Sequence, residues 1–446
     1  MAGILPPLYG PRVAAAALSF RGVACHALTR RYLAEDEGAR RRQLRVNRSR
    51  GFKNDASAQG PEPPPFAFAF DIDGVLLHVA KPIPGASEVL NYLNDNNIPF
   101  ILLTNGGGKR EEERVNDLKH KLGVHLSTDN FVQSHTPFRE LLDGPGGLRD
   151  KTILVTGSDP AKAREIFQAY GFKNVVTPWD IYAAHPDIFP FPTVASALGA
   201  TAPNTQPLPA PIYSSSTTIS PNSDLTGHLK IDAMFVANDP REWALDIQLI
   251  TDLLLSHKGY LGTLSPKNND PSLPNRGWQQ DGQPPLYFSN GDLVWSAGYH
   301  LPRFGQGAFQ AALRGVWARV TGGGHELQCT VIGKPHGGTY RFSERVLAEH
   351  RRATCRAMGH HHRDEGRIRP LKTVYMVGDN PESDIAGANG YVSDIGTEWV
   401  SVLVKTGVYS PERAGKLEGR FEPKAIMDDV SAALRWALER EGWTKN

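Results

Sequence analysis

Four aspartates, a lysine and a threonine stand where apolar runs of this chain end, and their types suit one chemistry. The run FAFAF, Phe66 to Phe70, leads into Asp71 and Asp73 with Gly74 behind them. Phe100 to Leu103 leads into Thr104, Asn105 and the glycines Gly106 to Gly108. Cys329 to Ile332 leads into Gly333, Lys334 and Pro335, and Thr373 to Val377 into Gly378, Asp379 and Asn380, with Asp384 just beyond. Four carboxylates brought together would repel one another and raise some of their pKa values. A hard cation with oxygen ligands and retained waters, magnesium above all, relieves that repulsion. The lysine and threonine, with bare glycine amides beside them, suit the negative charge of a phosphate. The chemistry that follows is phosphoryl transfer, which depends on positioning and charge stabilisation. Asp71 would attack phosphorus and form an aspartyl-phosphate. Asp73 would protonate the leaving oxygen and later activate water. The competing reading gives these strand-end charges structural roles only.

Such residues must be held at one edge of a sheet. The apolar run before Asp71 lacks polar alternation, as a central parallel strand covered on both faces does. Ligands of open parallel sheets bind in the crevice beyond the carboxyl ends of the strands, which is where the acids fall. The fold class is therefore α/β with a Rossmann-like parallel sheet, closed by a helix with Val430, Ala433, Leu434, Ala437 and Leu438 on one stripe. Gly106 to Lys109 is not a P-loop, because Arg110 stands where Ser or Thr is needed. The stretch from about Asn105 to Lys334 is far too long for a crossover and predicts a second α/β domain. Its strands are expected at Thr152 to Val155, Ile231 to Val236 and Leu286 to Phe288, with helices over Pro160 to Tyr170 and Trp243 to Leu255. The predicted division is a core over 65–150 and 311–446 with the second domain at 151–310. Within the latter, Pro190 to Leu229 is rich in Pro, Ser, Thr and Asn without periodicity and is expected to be disordered.

At 446 residues, with 40% hydrophobic and 22% charged residues, the chain reads as a two-domain globular protein. Its net charge of +2 identifies no partner, and a nucleic-acid ligand is not expected. Residues 1–34 carry Arg12, Arg21, Arg30 and Arg31 but no acid, the composition of a mitochondrial transit peptide, with a plain extension as the alternative. Residues 1–64 are read as that leader followed by a basic and Pro-rich linker. Three separated cysteines suit a reducing compartment, and no apolar run reaches the length of a transmembrane helix. His360, His361 and His362 are expected on an exposed loop rather than on one metal.

In order and position, DIDGV, LLTN, GKP and GDNPESD resemble the four motifs of haloacid dehalogenase-like phosphohydrolases. The long insertion between the second and third resembles the C2-type cap of subfamily IIA. More narrowly, PIPGA, TNGGG, SHTPFRE, NDPREWALD and LPRFGQGAF resemble the cat eye syndrome critical region type, found in mitochondria. The resemblance covers nearly everything from Phe66 onward. It implies a magnesium-dependent phosphatase of the mitochondrial matrix acting on a small phosphorylated substrate. Asp71 is then the nucleophile, Asp73 the acid and base, and Thr104, Asn105, Gly106 and Lys334 the phosphate binders. Magnesium is held by Asp71, Asp73 through its carbonyl, and Asp379, with Asp384 and Asn380 behind them. In the cap, Asn290 and Asp292 are candidate substrate contacts, although Gly291 replaces the proline of the family's SNPD. A homodimer through the cap, a role in glycerophospholipid metabolism and a catalytically weak binding or scaffold protein are the further readings.

Overall fold

The computed structural model describes residues 63–191, 204–214, 219, 223–295, 299, 301–358, 370–411 and 415–443. The expected leader, apart from Pro63 and Pro64, and the three adjacent histidines lie outside the described residues.

β1 (Phe66–Phe70) is completely buried. Its phenylalanines point to one face of the sheet and Ala67 and Ala69 to the other, so large and small residues each fill their own layer. After a tight hairpin of β2 (Leu77–His78) and β3 (Lys81–Pro82), α1 (Ala86–Asp95) buries Ala86, Val89, Leu90 and Leu93 at helical spacing. β4 (Phe100–Leu103) then pairs with β1 in parallel. α2 (Glu111–Leu122) starts with three glutamates, which favour a helix N-terminus, and ends at left-handed Gly123. β5 (Phe131–Val132) completes this edge.

The chain then builds a second parallel sheet. β6 (Thr152–Thr156), α3 (Pro160–Tyr170), β7 (Asn174–Val176), α4 (Pro178–Ala184), β8 (Ala233–Val236), α5 (Trp243–Leu255) and β9 (Leu286–Phe288) follow one another. A hairpin of β10 (Val294–Trp295) and β11 (Arg303–Phe304) precedes α6 (Gln306–Val320), and β12 (Thr330–Val331) returns to pair with β9. The order is β12-β9-β8-β6-β7.

The return to the first sheet runs through α7 (Gly337–Ala357), β13 (Thr373–Gly378), α8 (Ala386–Gly390), β14 (Glu398–Val404), β15 (Ala425–Met427) and α9 (Val430–Arg440). That sheet has the order β15-β14-β13-β1-β4-β5, all parallel. α1 and α9 pack on its phenylalanine face and α7 on the alanine face. No helix among the described residues is long and apolar enough to cross a membrane.

Two expectations need correction. The boundary at 310/311 falls inside α6, whose Phe309, Leu313 and Trp317 pack in the core of the second sheet. The boundary at 150/151 comes late, because Phe138 and Leu142 already pack against that sheet's other face. The proposed disorder over 190–229 also fails for its described parts. The Gln206 amide donates to buried Asp180 at 2.6 Å, the Leu229 amide to the Pro211 carbonyl at 2.8 Å, and Leu225 and Leu229 are buried. Backbone hydrogen bonds order this segment, and hydrophobic periodicity could not announce them.

Candidate active site

The two sheets meet at their carboxyl ends, and the strand tips carry the polar residues. Lys334, 1% exposed, follows β12. Its Nζ lies 2.8 Å from Asp71 Oδ1 and 2.7 Å from Asp384 Oδ1, and donates to the Leu103 carbonyl at 3.0 Å. Burial alone would lower its pKa, yet the Asp384 and Asp71 carboxylates hold it above the usual lysine range. Lys334 is thus delivered by an edge strand of the second sheet into acids carried by the first.

Asp71, Asp379 and Asp384 each offer an oxygen within 4.8 Å of the others. Burial, then Asp71 and Asp384, push Asp379 well above the usual carboxylate range. Burial raises Asp384 to about 6, against Lys334. One lysine does not neutralise three clustered acids, so the donor set fits a hard divalent cation of the magnesium type. Asp379 Oδ2 accepts from the Val408 amide at 2.6 Å. A Cβ on Gly74 or Gly407 would come within 2.4 or 2.0 Å of that same oxygen, so both positions require glycine. The Asp384 carboxylate accepts from the Asn380 amide at 3.0 Å. The Asn380 side chain accepts from Glu382 N, so it caps its own turn.

Asp73 stands apart from the acidic cluster, two-thirds exposed, with Arg114 at 3.9 Å. Partial desolvation at the crevice and the neighbouring Asp71 raise its pKa, while Arg114 and Lys334 oppose the rise. Thr104 is buried, and its hydroxyl accepts from Gly106 N at 3.0 Å, which leaves its proton free for another acceptor. Gly106 N is therefore already committed, whereas the amides of Gly107 and Gly108 have no acceptor among the described residues.

Asn105 does something the sequence reading did not foresee. Its Nδ2 donates to the Lys334 carbonyl at 2.9 Å and to Asp292 Oδ2 at 3.0 Å, and its Oδ1 accepts from Lys334 N at 2.8 Å. It is a strut that holds Lys334 and ties the two sheets. Asn290 is buried; its Oδ1 accepts from Asp292 N at 3.1 Å, and its amide donates to the Asn105 carbonyl at 3.4 Å. Burial pushes Asp292 up to about 6, with Asn105 and Lys334 opposing and Asp71 and Asp239 adding to the rise. Asn290 and Asp292 therefore do reach the crevice, through Asn105. Sequence reasoning gave no role to Arg114 or His135, although the latter lies in a stretch it quoted.

Residues 68–173 match the profile described as haloacid dehalogenase-like hydrolase, and residues 331–433 the HAD-hydrolase-like profile. A mitochondrial hydrolase of Saccharomyces cerevisiae is 38% identical over 382 residues, which cover 84% of this chain and 96% of that protein. The chain is a haloacid dehalogenase-like hydrolase. A Schizosaccharomyces pombe protein named cardiolipin synthase (CMP-forming) / mitochondrial hydrolase fusion protein is 36% identical over 401 residues, 90% of this hydrolase and 57% of that protein. The hydrolase thus spans little more than half of that relative. Among solved structures, a p-nitrophenyl phosphatase from Archaeoglobus fulgidus aligns at 15% identity, covering 84% of the hydrolase and all of that chain, with a TM-score of 0.48. That likeness is too slight to bear on the reaction.

Proposed function

We propose that this hydrolase is a magnesium-dependent phosphatase that cleaves a phosphate monoester through an aspartyl-phosphate on Asp71. The observation that carries the proposal is Lys334, buried between Asp71 and Asp384 at the tips of both sheets. Asp71, Asp379 and the Asp73 carbonyl would hold magnesium, with Asp384 behind them, and the bound ion would offset phosphoryl charge. Lys334 fixes one oxygen of Asp71 and leaves the other to attack phosphorus. The P–O bond to the leaving group breaks as the Asp71–phosphorus bond forms, and Asp73 gives its proton to the departing oxygen. Its raised pKa suits it to hold that proton. Asp73 then takes a proton from the water that attacks phosphorus, which frees Asp71 and releases inorganic phosphate. Thr104 and the amides of Gly107 and Gly108 receive the phosphoryl oxygens meanwhile.

Phosphate release from a panel of monoesters, with magnesium and with chelator, tests this. Metal-dependent release that Asp71→Asn abolishes is expected; an undiminished rate in that variant overturns the covalent route. A second reading has one specific support, the name of the S. pombe relative, which joins a hydrolase to a cardiolipin synthase. A substrate of glycerophospholipid metabolism would follow, and its signature is release from a glycerophosphate-headed lipid in vesicles exceeding release from every soluble ester. The relatives named mitochondrial hydrolases and the acid-free basic leader both support a mitochondrial location.

A further inference from the structure

Behind the glycines that follow Thr104 lies a chain of buried polar groups that no step of the reaction uses. A Cβ on Gly107 would lie 2.7 Å from Ser134 Oγ and 3.0 Å from His135 Cδ2, so these two side chains form the wall against which the loop rests. The Ser134 amide also donates to the Gly106 carbonyl at 3.3 Å. His135 is fully buried, and its Nδ1 lies 2.6 Å from the Tyr170 hydroxyl. That hydroxyl donates to Glu111 Oε1, which also accepts from Thr136 Oγ1 at 2.8 Å. Because the tyrosine proton goes to the carboxylate, the imidazole donates from Nδ1, and its tautomer is set. The other nitrogen, Nε2, makes no hydrogen bond among the described residues, and neither does Ser134 Oγ.

The members of this relay come from different layers. Glu111 opens α2 and His135 follows β5, both beside the first sheet, whereas Tyr170 is the last residue of α3, which packs on the second. The seam between α2 and α3 is not a close-packed core. A cavity of about 300 Å³ lies along it, lined by Arg110, Glu111, Asp129, Arg139 and Tyr170 among others. Lys162 of α3 also meets Glu113 of α2 there, at 2.7 Å, as a partly exposed pair worth little. Hydrogen bonds to a buried carboxylate therefore fix the registry of α3 on α2, since apolar packing is sparse at that point.

We propose that the Glu111–Tyr170–His135 relay positions the Gly106–Gly108 loop for phosphate, so that its anion-binding geometry depends on α3 being docked. Tyr170 and His135 are then positioning residues, acting through Ser134 and Gly107 on the two free amides. The inference rests on the phosphatase reading in taking phosphate as the loop's ligand. Loss of the relay would loosen a contact made equally in ground and transition states, so KM should rise while kcat holds.

The test uses the full chain and its Tyr170→Phe, His135→Leu and His135→Asn variants, with inorganic phosphate as the probe by calorimetry and thermal melting as a fold check. Tyr170→Phe and His135→Leu are expected to weaken phosphate binding about tenfold, the size of one hydrogen bond to a charged group. His135→Asn keeps a donor at the Nδ1 position and should bind phosphate more tightly than His135→Leu. On any ester that the wild type turns over, Tyr170→Phe should raise KM and spare kcat. Wild-type affinity in Tyr170→Phe, or equal losses in the two His135 variants, overturns the proposal. If the wild type binds no phosphate, the phosphatase reading fails separately. The relay is then judged by hydrogen exchange of the 104–109 peptide, where faster exchange in Tyr170→Phe supports it and unchanged exchange overturns it.

Discussion

Lys334 binds together groups that would otherwise repel. Removing its charge while keeping its length, as Lys334→Met does, leaves Asp71 and Asp384 facing each other without a cation. Stranding a buried charge in this way costs about 3–5 kcal/mol. Urea unfolding should show that loss in the absence of magnesium, and an unchanged midpoint would mean that the acids already carry protons there. His135 makes a second prediction at this scale. Burial lowers its pKa to about 4, against the pull of Glu111 and the Lys109 carbonyl, while the unfolded imidazole titrates near 6.5. Between those values the unfolded chain binds more protons, so the contribution of His135 to stability is whole above about pH 6.5 and is lost as pH falls toward 4. The urea midpoint should therefore drop less between pH 7 and pH 4.5 in His135→Asn than in the wild type, and equal drops would refute the assignment. The two residues also differ in how legible they were. Lys334 was visible because a lysine after an apolar run and a glycine has few uses in a core. His135 was not, because its meaning depends on Tyr170, 35 residues on.

At the scale of elements, a strand's apolar run tells where it lies in the chain but not which strand it joins. The sequence placed β1, β4, α3, α5 and β9 within a residue or two of their observed limits. Cys329 to Ile332 was also foreseen as a strand, yet it was grouped with the core, whereas β12 pairs with β9. Two residues of strand carry no signal of their neighbour. The insertion was misread for a related reason. Arg164 and Asp180 form a buried ion pair, and the segment at 204–206 closes around it, with the Asn204 carbonyl accepting from Arg164 at 3.3 Å and Gln206 N donating to Asp180. Replacing 204–214 by a short Gly/Ser linker leaves buried donors and acceptors unmet. The thermal midpoint should fall by more than about 3 °C, roughly 1 kcal/mol in a chain of this size. A midpoint within 1 °C of the parent would show that water serves these groups as well.

Across the whole molecule, the site exists only where two parallel sheets present their carboxyl ends to each other, and the chain must cross between them twice to build it. The four motifs were legible because each sits at a strand tip. The tie between sheets through Asn105, Asn290 and Asp292 was not, because it joins residues nearly 190 positions apart. The same long-range logic sets where the folded unit begins. Buried Arg351 of α7 donates to the Pro63 and Pro64 carbonyls at 3.0 and 3.2 Å, and Lys372 N donates to the Pro65 carbonyl at 2.7 Å. The prolines ahead of β1 thus satisfy a buried guanidinium that has little access to water. A protein starting at residue 61 keeps these acceptors and should melt with the full chain and retain its rate of phosphate release. One starting at residue 66 removes these two carbonyl acceptors and the Pro65 carbonyl, and should melt several degrees lower. Equal melting of the two truncations would show that Arg351 finds other acceptors, and a lower melting point for the longer one would place the start of the folded unit upstream of residue 61.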